Sequence, residues 1–142
     1  MSFFIKSIAL TSLLFLFSVS LFSQDTAEVH IVRKTGFSGS LVGINLIMDG
    51  ELLCKVSNKR YSIHQVEAGA HAFQARLIGK KKMTKKSMAP LEMNLVAGKT
   101  YYLQLNLKNK AFYSQVDVQE ITETKAVRIM PELKKQKNCR TK

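Results

Sequence analysis

The chain has 142 residues, 46% of them hydrophobic, with 7 Gly, 2 Pro and no Trp, which fits one small globular domain and excludes a second sizeable domain, a collagen-like array and full-length disorder. Lys plus Arg number 22 against 10 Asp plus Glu, a formal charge of +12, so a partner bound through electrostatics is expected to be anionic.

Residues 1–23 read as an export signal. Lys6 is the last charge before Asp25, and the apolar stretch from Ile8 to Phe22 is shorter than the roughly 20 residues a membrane-spanning helix needs. Small Ser23 ahead of Gln24 marks the expected cleavage point, with Leu21 an imperfect residue two positions upstream, and an uncleaved membrane anchor is the alternative. The mature chain is then expected in the periplasm, at the envelope or in the medium. No Cys follows the apolar stretch at a lipobox position, so a lipid anchor is not expected.

From Ala27 to Val118 apolar residues alternate and are interrupted about every 8 to 12 residues, the rhythm of an all-β sandwich or barrel. The expected architecture is mainly β: an antiparallel sandwich of about seven to eight strands over residues 24–121, a short helix at 122–130 and a disordered basic tail at 131–142. The first strand is Ala27–Arg33. Leu41–Met48 reads as a central strand, and Asp49-Gly50 supplies the positive φ values of a two-residue type I′ turn. Its hairpin partner, Glu51–Val56, is expected to place Leu52, Cys54 and Val56 on one face. A fourth strand, Tyr61–Val66, leads through Gly69 into a fifth in which His71, Phe73, Ala75 and Leu77 share a face. After a lysine-rich loop come Leu91–Leu95, then Thr100–Leu107 with Tyr101 and Tyr102 on opposite faces, and a last strand, Phe112–Val118. Thr122 can cap a helix that Pro131 ends.

Export permits disulfides, and a Cys54–Cys139 bridge is one alternative. The simpler expectation is that Cys54 packs as a small hydrophobe while Cys139 is a free thiol in the tail. His30, His64 and His71 fall on three separate strands without metal-ligand spacing, and Asp49 and Glu51 are accounted for by the turn. The chain lacks a phosphate-binding glycine loop, a His-Glu-x-x-His and a Gly-x-Ser-x-Gly, so no catalytic residue, cofactor or metal is assigned. A small hydrolase built from isolated residues such as His64 and Asp117 is the alternative class.

The feature that implies a partner is charge. Lys80, Lys81, Lys82, Lys85 and Lys86 sit in one loop and are the candidate anion-binding residues, with a second basic cluster after Pro131. Export removes the chain from nucleic acid, which leaves lipid headgroups, lipopolysaccharide or acidic polysaccharide, with peripheral membrane contact.

Ile44 to Gly50, Val66 to His71 and Leu95 to Leu103 form an ordered set: an apolar strand into Asp-Gly, a Gly one residue before His, and an Ala-Gly turn into Tyr-Tyr. Together they resemble the exported bacterial family known as domain of unknown function 2846, with some likeness to PEGA-type surface repeats. Ala68 stands where that family often has Pro, and its lipobox Cys is missing. The resemblance implies a transthyretin-like or carboxypeptidase-regulatory-like β-sandwich in the bacterial envelope, with no enzymatic activity and no catalytic residue to carry over.

Overall fold

The computed structural model describes residues 25–36, 41–79, 89–109, 114–137 and 139. The expected signal at 1–23 and the loop lysines Lys80, Lys81, Lys82, Lys85 and Lys86 lie outside the described residues. Strands run in the order β1 (Thr26–Arg33), β2 (Ile44–Met48), β3 (Glu51–Val56), β4 (Arg60–Glu67), β5 (Gly69–Leu77), β6 (Leu91–Leu95), β7 (Thr100–Asn109), β8 (Ser114–Glu120), then helix α1 (Glu123–Ile129) and a two-residue β9 (Lys134–Lys135). They form a β-sandwich. One sheet has the order β8-β7-β1-β4-β9 and the other β3-β2-β5-β6. The second sheet is antiparallel throughout, whereas in the first β1 lies parallel to β7 and β4 parallel to β9.

Alternation along each strand sends one side chain in two between the sheets, and that is where the core sits. Val29 and Ile31 from β1, Ile44 and Leu46 from β2, Phe73 from β5 and Leu103 from β7 are fully buried there. The adjacent tyrosines part as alternation requires. Tyr101 packs against the core, while Tyr102 meets the His30 ring edge-on at 4.9 Å.

Asp49 and Gly50 both have positive φ, 51° and 85°, and join β2 to β3. A type I′ turn tolerates Asp at the first position and Gly at the second, and a β-branched residue at either is strained. Gly50→Val is therefore expected to cost about 1 to 3 kcal/mol, measured as a shift in urea midpoint at constant slope.

Three expectations are corrected. The stretch Leu41–Met48 becomes strand only at Ile44, and Leu41 is 99% exposed. At Gly43 an added Cβ would meet the end of the Ile78 side chain, which would have to swing aside. On β3 the pairing shifts between Leu46↔Cys54 and Ile47↔Leu52, leaving Leu53 as an extra residue, a β-bulge. Strict alternation is thereby broken: Leu52 is exposed and Leu53 packs on the core.

The third correction concerns the tail. Thr122 caps α1 by accepting from the Lys125 amide, and Ala126 is buried where the helix packs on β7. Beyond it, residues 131–137 are not disordered. A 3₁₀ turn at Met130–Glu132 leads into β9, where the Lys134 amide donates to the Lys59 carbonyl and the Gln136 amide just beyond donates to the Tyr61 carbonyl. Glu132 pairs with Lys34 at 2.6 Å.

Candidate functional site

The turn between β2 and β3, the bulged start of β3 and the facing part of β4 enclose a partly open cleft of 480 Å³ between the two sheets. Met48, Leu53 and Val66 give it apolar wall. Asp49, Glu51 and Glu67 make its rim acidic in a chain that is strongly basic overall.

His71, at the start of β5, fixes one end of this cleft. Its Nδ1 lies 2.6 Å from Asp49 Oδ2 and its Nε2 2.9 Å from the Glu67 carbonyl oxygen. Both partners only accept, so the form that satisfies both contacts is the imidazolium, with each ring nitrogen donating. Asp49 also accepts from the Ala72 amide at 2.8 Å through its other oxygen. Burial alone would lower the His71 pKa, and the Asp49 and Glu67 hydrogen bonds with the charges of those two residues outweigh it, so the pKa is raised. For Asp49, burial acts upward and the Ala72 and His71 bonds with the His71 charge prevail, so its pKa is lowered. The Asp-Gly and Gly-x-His pieces of the sequence pattern are thus two halves of one clamp.

The sign of the pH effect follows. A raised His71 pKa adds stability below the unfolded value near 6.5 that is lost as pH climbs through the folded value. A lowered Asp49 pKa adds stability above an unfolded value near 3.9 that is lost as pH falls through the folded one. The clamp is accordingly strongest between about pH 4 and 6.5. His71→Gln is expected to flatten the stability-pH profile above pH 6, and NMR titration of the His71 ring should give a midpoint above that of a free histidine.

Opposite the clamp, β4 turns Ser62, His64 and Val66 inward. His64 is 5% exposed, with Nε2 2.9 Å from Ser62 Oγ, and burial lowers its pKa, so it is neutral at physiological pH. Beside it Cys54 of β3 is joined to Cys139 in a disulfide. This overturns the expectation of a free Cys139. Ser57 donates from its amide to Gln136 Oε1, and the β9 pairing carries the chain back toward β3, so the thiols meet because the tail is folded. One donor atom each from Cys54, His64 and Cys139 lie within 4.8 Å of one another.

The other sequence candidates separate. His30 bonds Glu28 two positions along its own strand and packs on Tyr102 of the neighbouring one. Asp117, on β8, accepts from Lys108 Nζ at 2.9 Å and Gln119 Nε2 at 3.0 Å. Strands β4 and β8 are three places apart in their sheet, roughly 14 Å, so the His64 and Asp117 pairing imagined for a hydrolase is not formed. Arg33 was missed as a structural residue: wholly buried, it donates to the Val56 carbonyl at 2.7 Å and the Val42 carbonyl at 2.6 Å. No family model and no curated protein matches the chain.

Proposed function

We propose that the chain is an exported, non-enzymatic β-sandwich that acts as a binding or accessory module of the bacterial envelope, as its resemblance to the domain of unknown function 2846 implies, and that its basic clusters make peripheral contact with anionic surfaces. Supporting export are the N-terminal charge and apolar pattern and a disulfide, a bond that persists in oxidising compartments. The observation that carries the anionic contact is a basic sheet edge. There β9 holds Lys134 and Lys135, with Lys137 beyond them, alongside Lys59 and Arg60 of the β3–β4 turn and β4. Lysines on an edge strand also blunt sheet-to-sheet aggregation, a role compatible with surface binding. Lys80, Lys81, Lys82, Lys85 and Lys86 add a second cluster from the segment between β5 and β6.

Each lysine held near an anionic bilayer contributes about 1 kcal/mol, so replacing Lys134, Lys135 and Lys137 with Gln should weaken binding to phosphatidylglycerol vesicles on the order of 100-fold. Wild-type binding should fall steeply between low and physiological salt, because screening acts over about 8 Å at the latter. Phosphatidylcholine vesicles should not bind. Equal binding by wild type and variant at low salt would refute the surface contact. Mass spectrometry of the protein recovered from cells checks export, with a mature start near Gln24 and the Cys54–Cys139 link expected.

A further inference from the structure

We propose that the Cys54–His64–Cys139 cluster, with Cys54 and His64 buried and Cys139 partly so, is a redox-gated site for a thiophilic monovalent ion, Cu(I), which binds when the disulfide is reduced and is excluded when it is formed. The donor set is two sulfurs and an imidazole, all within 4.8 Å of one another, in a part of the core reached from both sheets. Thiolates select soft ions, and Cu(I) is satisfied by a small number of S and N donors, whereas a structural Zn²⁺ takes four. Among the described residues the cluster contains three ligands.

His64 is prepared for this role by its surroundings. Only a neutral imidazole ligates, and the Ser62 hydroxyl at 2.9 Å holds the ring from one nitrogen, as outer partners of metal-bound histidines do. Its placement has no counterpart in the turn chemistry that occupies His71, nor in the lipid contact proposed for the basic edge. The cleft wall includes His64, so the cluster also has an approach from solvent.

The redox step balances as follows. A dithiol of the exported thiol-reductase kind gives two electrons and two protons to the Cys54–Cys139 bond and is itself closed to a disulfide, leaving two thiols. Cu(I) then displaces both thiol protons to solvent and, by binding the two thiolates and the His64 ring, draws the released tail back against β3. An exported thiol-oxidase disulfide takes the two electrons back and, with two protons from solvent, is opened to its dithiol, which re-forms the Cys54–Cys139 bond, removes both thiolate ligands and releases the ion.

The test uses the mature chain, oxidised or reduced with a phosphine, which takes oxygen from water to become the phosphine oxide. Cu(I) is delivered from a chromophoric chelator, so that its transfer is read by the loss of chelator colour. The expected result is one Cu(I) per reduced chain, none per oxidised chain, and a reduced-state melting temperature that rises with Cu(I), since a ligand bound by the folded form stabilises it. His64→Leu should weaken Cu(I) at least tenfold while its oxidised form still melts cooperatively. Cys139→Ser should weaken it further. Uptake unaffected by His64→Leu, uptake by the oxidised chain, or binding that leaves the melting temperature of the reduced protein unchanged would each overturn the proposal. Zn²⁺ in the same titration should bind more weakly than Cu(I), and a reversed order would also overturn it.

Discussion

Cys139→Ser is expected to lower the stability of the oxidised protein by about 3 to 5 kcal/mol and its melting temperature by roughly 10 to 20 °C. The bridge spans 85 positions of sequence, a long loop, and closing such a loop removes much of the freedom of the unfolded chain. It also joins the two layers. Cys54 belongs to β3, an edge of one sheet, while Cys139 follows β9, an edge of the other. When the bond is lost the tail keeps the two-residue pairing of β9 with β4, the Ser57–Gln136 and Arg60–Lys135 contacts, the exposed Lys34–Glu132 ion pair and the buried Leu133 side chain. Those few contacts are too small to offset the entropy of ordering the tail, at about 1 to 2 kcal/mol per residue. Trypsin should then cut at Lys134, Lys135 and Lys137 long before the body of the sandwich. An unchanged melt and an uncut tail in Cys139→Ser would show that β9 holds by itself. Loss of the ordered basic edge should lower affinity for anionic vesicles in the same variant, linking the covalent bond to the proposed surface contact.

What the sequence disclosed and what it hid divide along the range of the interaction. Asp49-Gly50 was legible because a two-residue turn is decided by the φ preferences of its own residues. Thr122 and Pro131 bracketed α1 for the same reason, and period-two runs such as Leu91–Leu95 can only be strands with one face covered. Leu52 was placed on the wrong face because a bulge at Leu53 inserts one residue without any local marker, which puts Leu52 out of phase with Cys54 and Val56. The tail looked disordered by composition, since Lys134, Lys135 and Lys137 outnumber the apolar residues near them. Its order comes from Leu133, 7% exposed, from β4 and from Cys54, all distant in sequence. The candidate site shows the same division: Asp49 and His71 stood out as parts of a pattern, but their mutual hydrogen bond depends on β2 and β5 being neighbours. Nothing in the spacing of Cys54, His64 and Cys139 announces that three separate segments converge.

Arg33→Ala is the second large effect, an expected loss of about 3 to 5 kcal/mol with no change in the spectrum of the remaining folded protein. Strand alternation puts Arg33 on the same face as Val29 and Ile31, so the guanidinium enters the space between the sheets. A buried charge is tolerated only where donors are satisfied, and a planar fork of five N–H groups suits several acceptors at once. Here it reaches Val56 at the end of β3, Val42 ahead of β2 and, through Nε, the Thr35 hydroxyl at 3.2 Å. Thr35 in turn donates its amide to Asn58 Oδ1 at 2.8 Å, so one side chain ties β1 to both ends of the β2–β3 hairpin region. Alanine removes the donors, strands the carbonyls they served and leaves a cavity the size of the side chain. Arg33→Lys restores the charge without the fork, and should recover less than half of the loss because one ammonium cannot span acceptors on opposite sides. Arg33→Met restores volume without donors and should fall near Arg33→Lys if packing and hydrogen bonding contribute comparably. Urea unfolding of the four proteins orders them, and an Arg33→Ala midpoint equal to wild type would mean that the Val42 and Val56 carbonyls are satisfied by water instead.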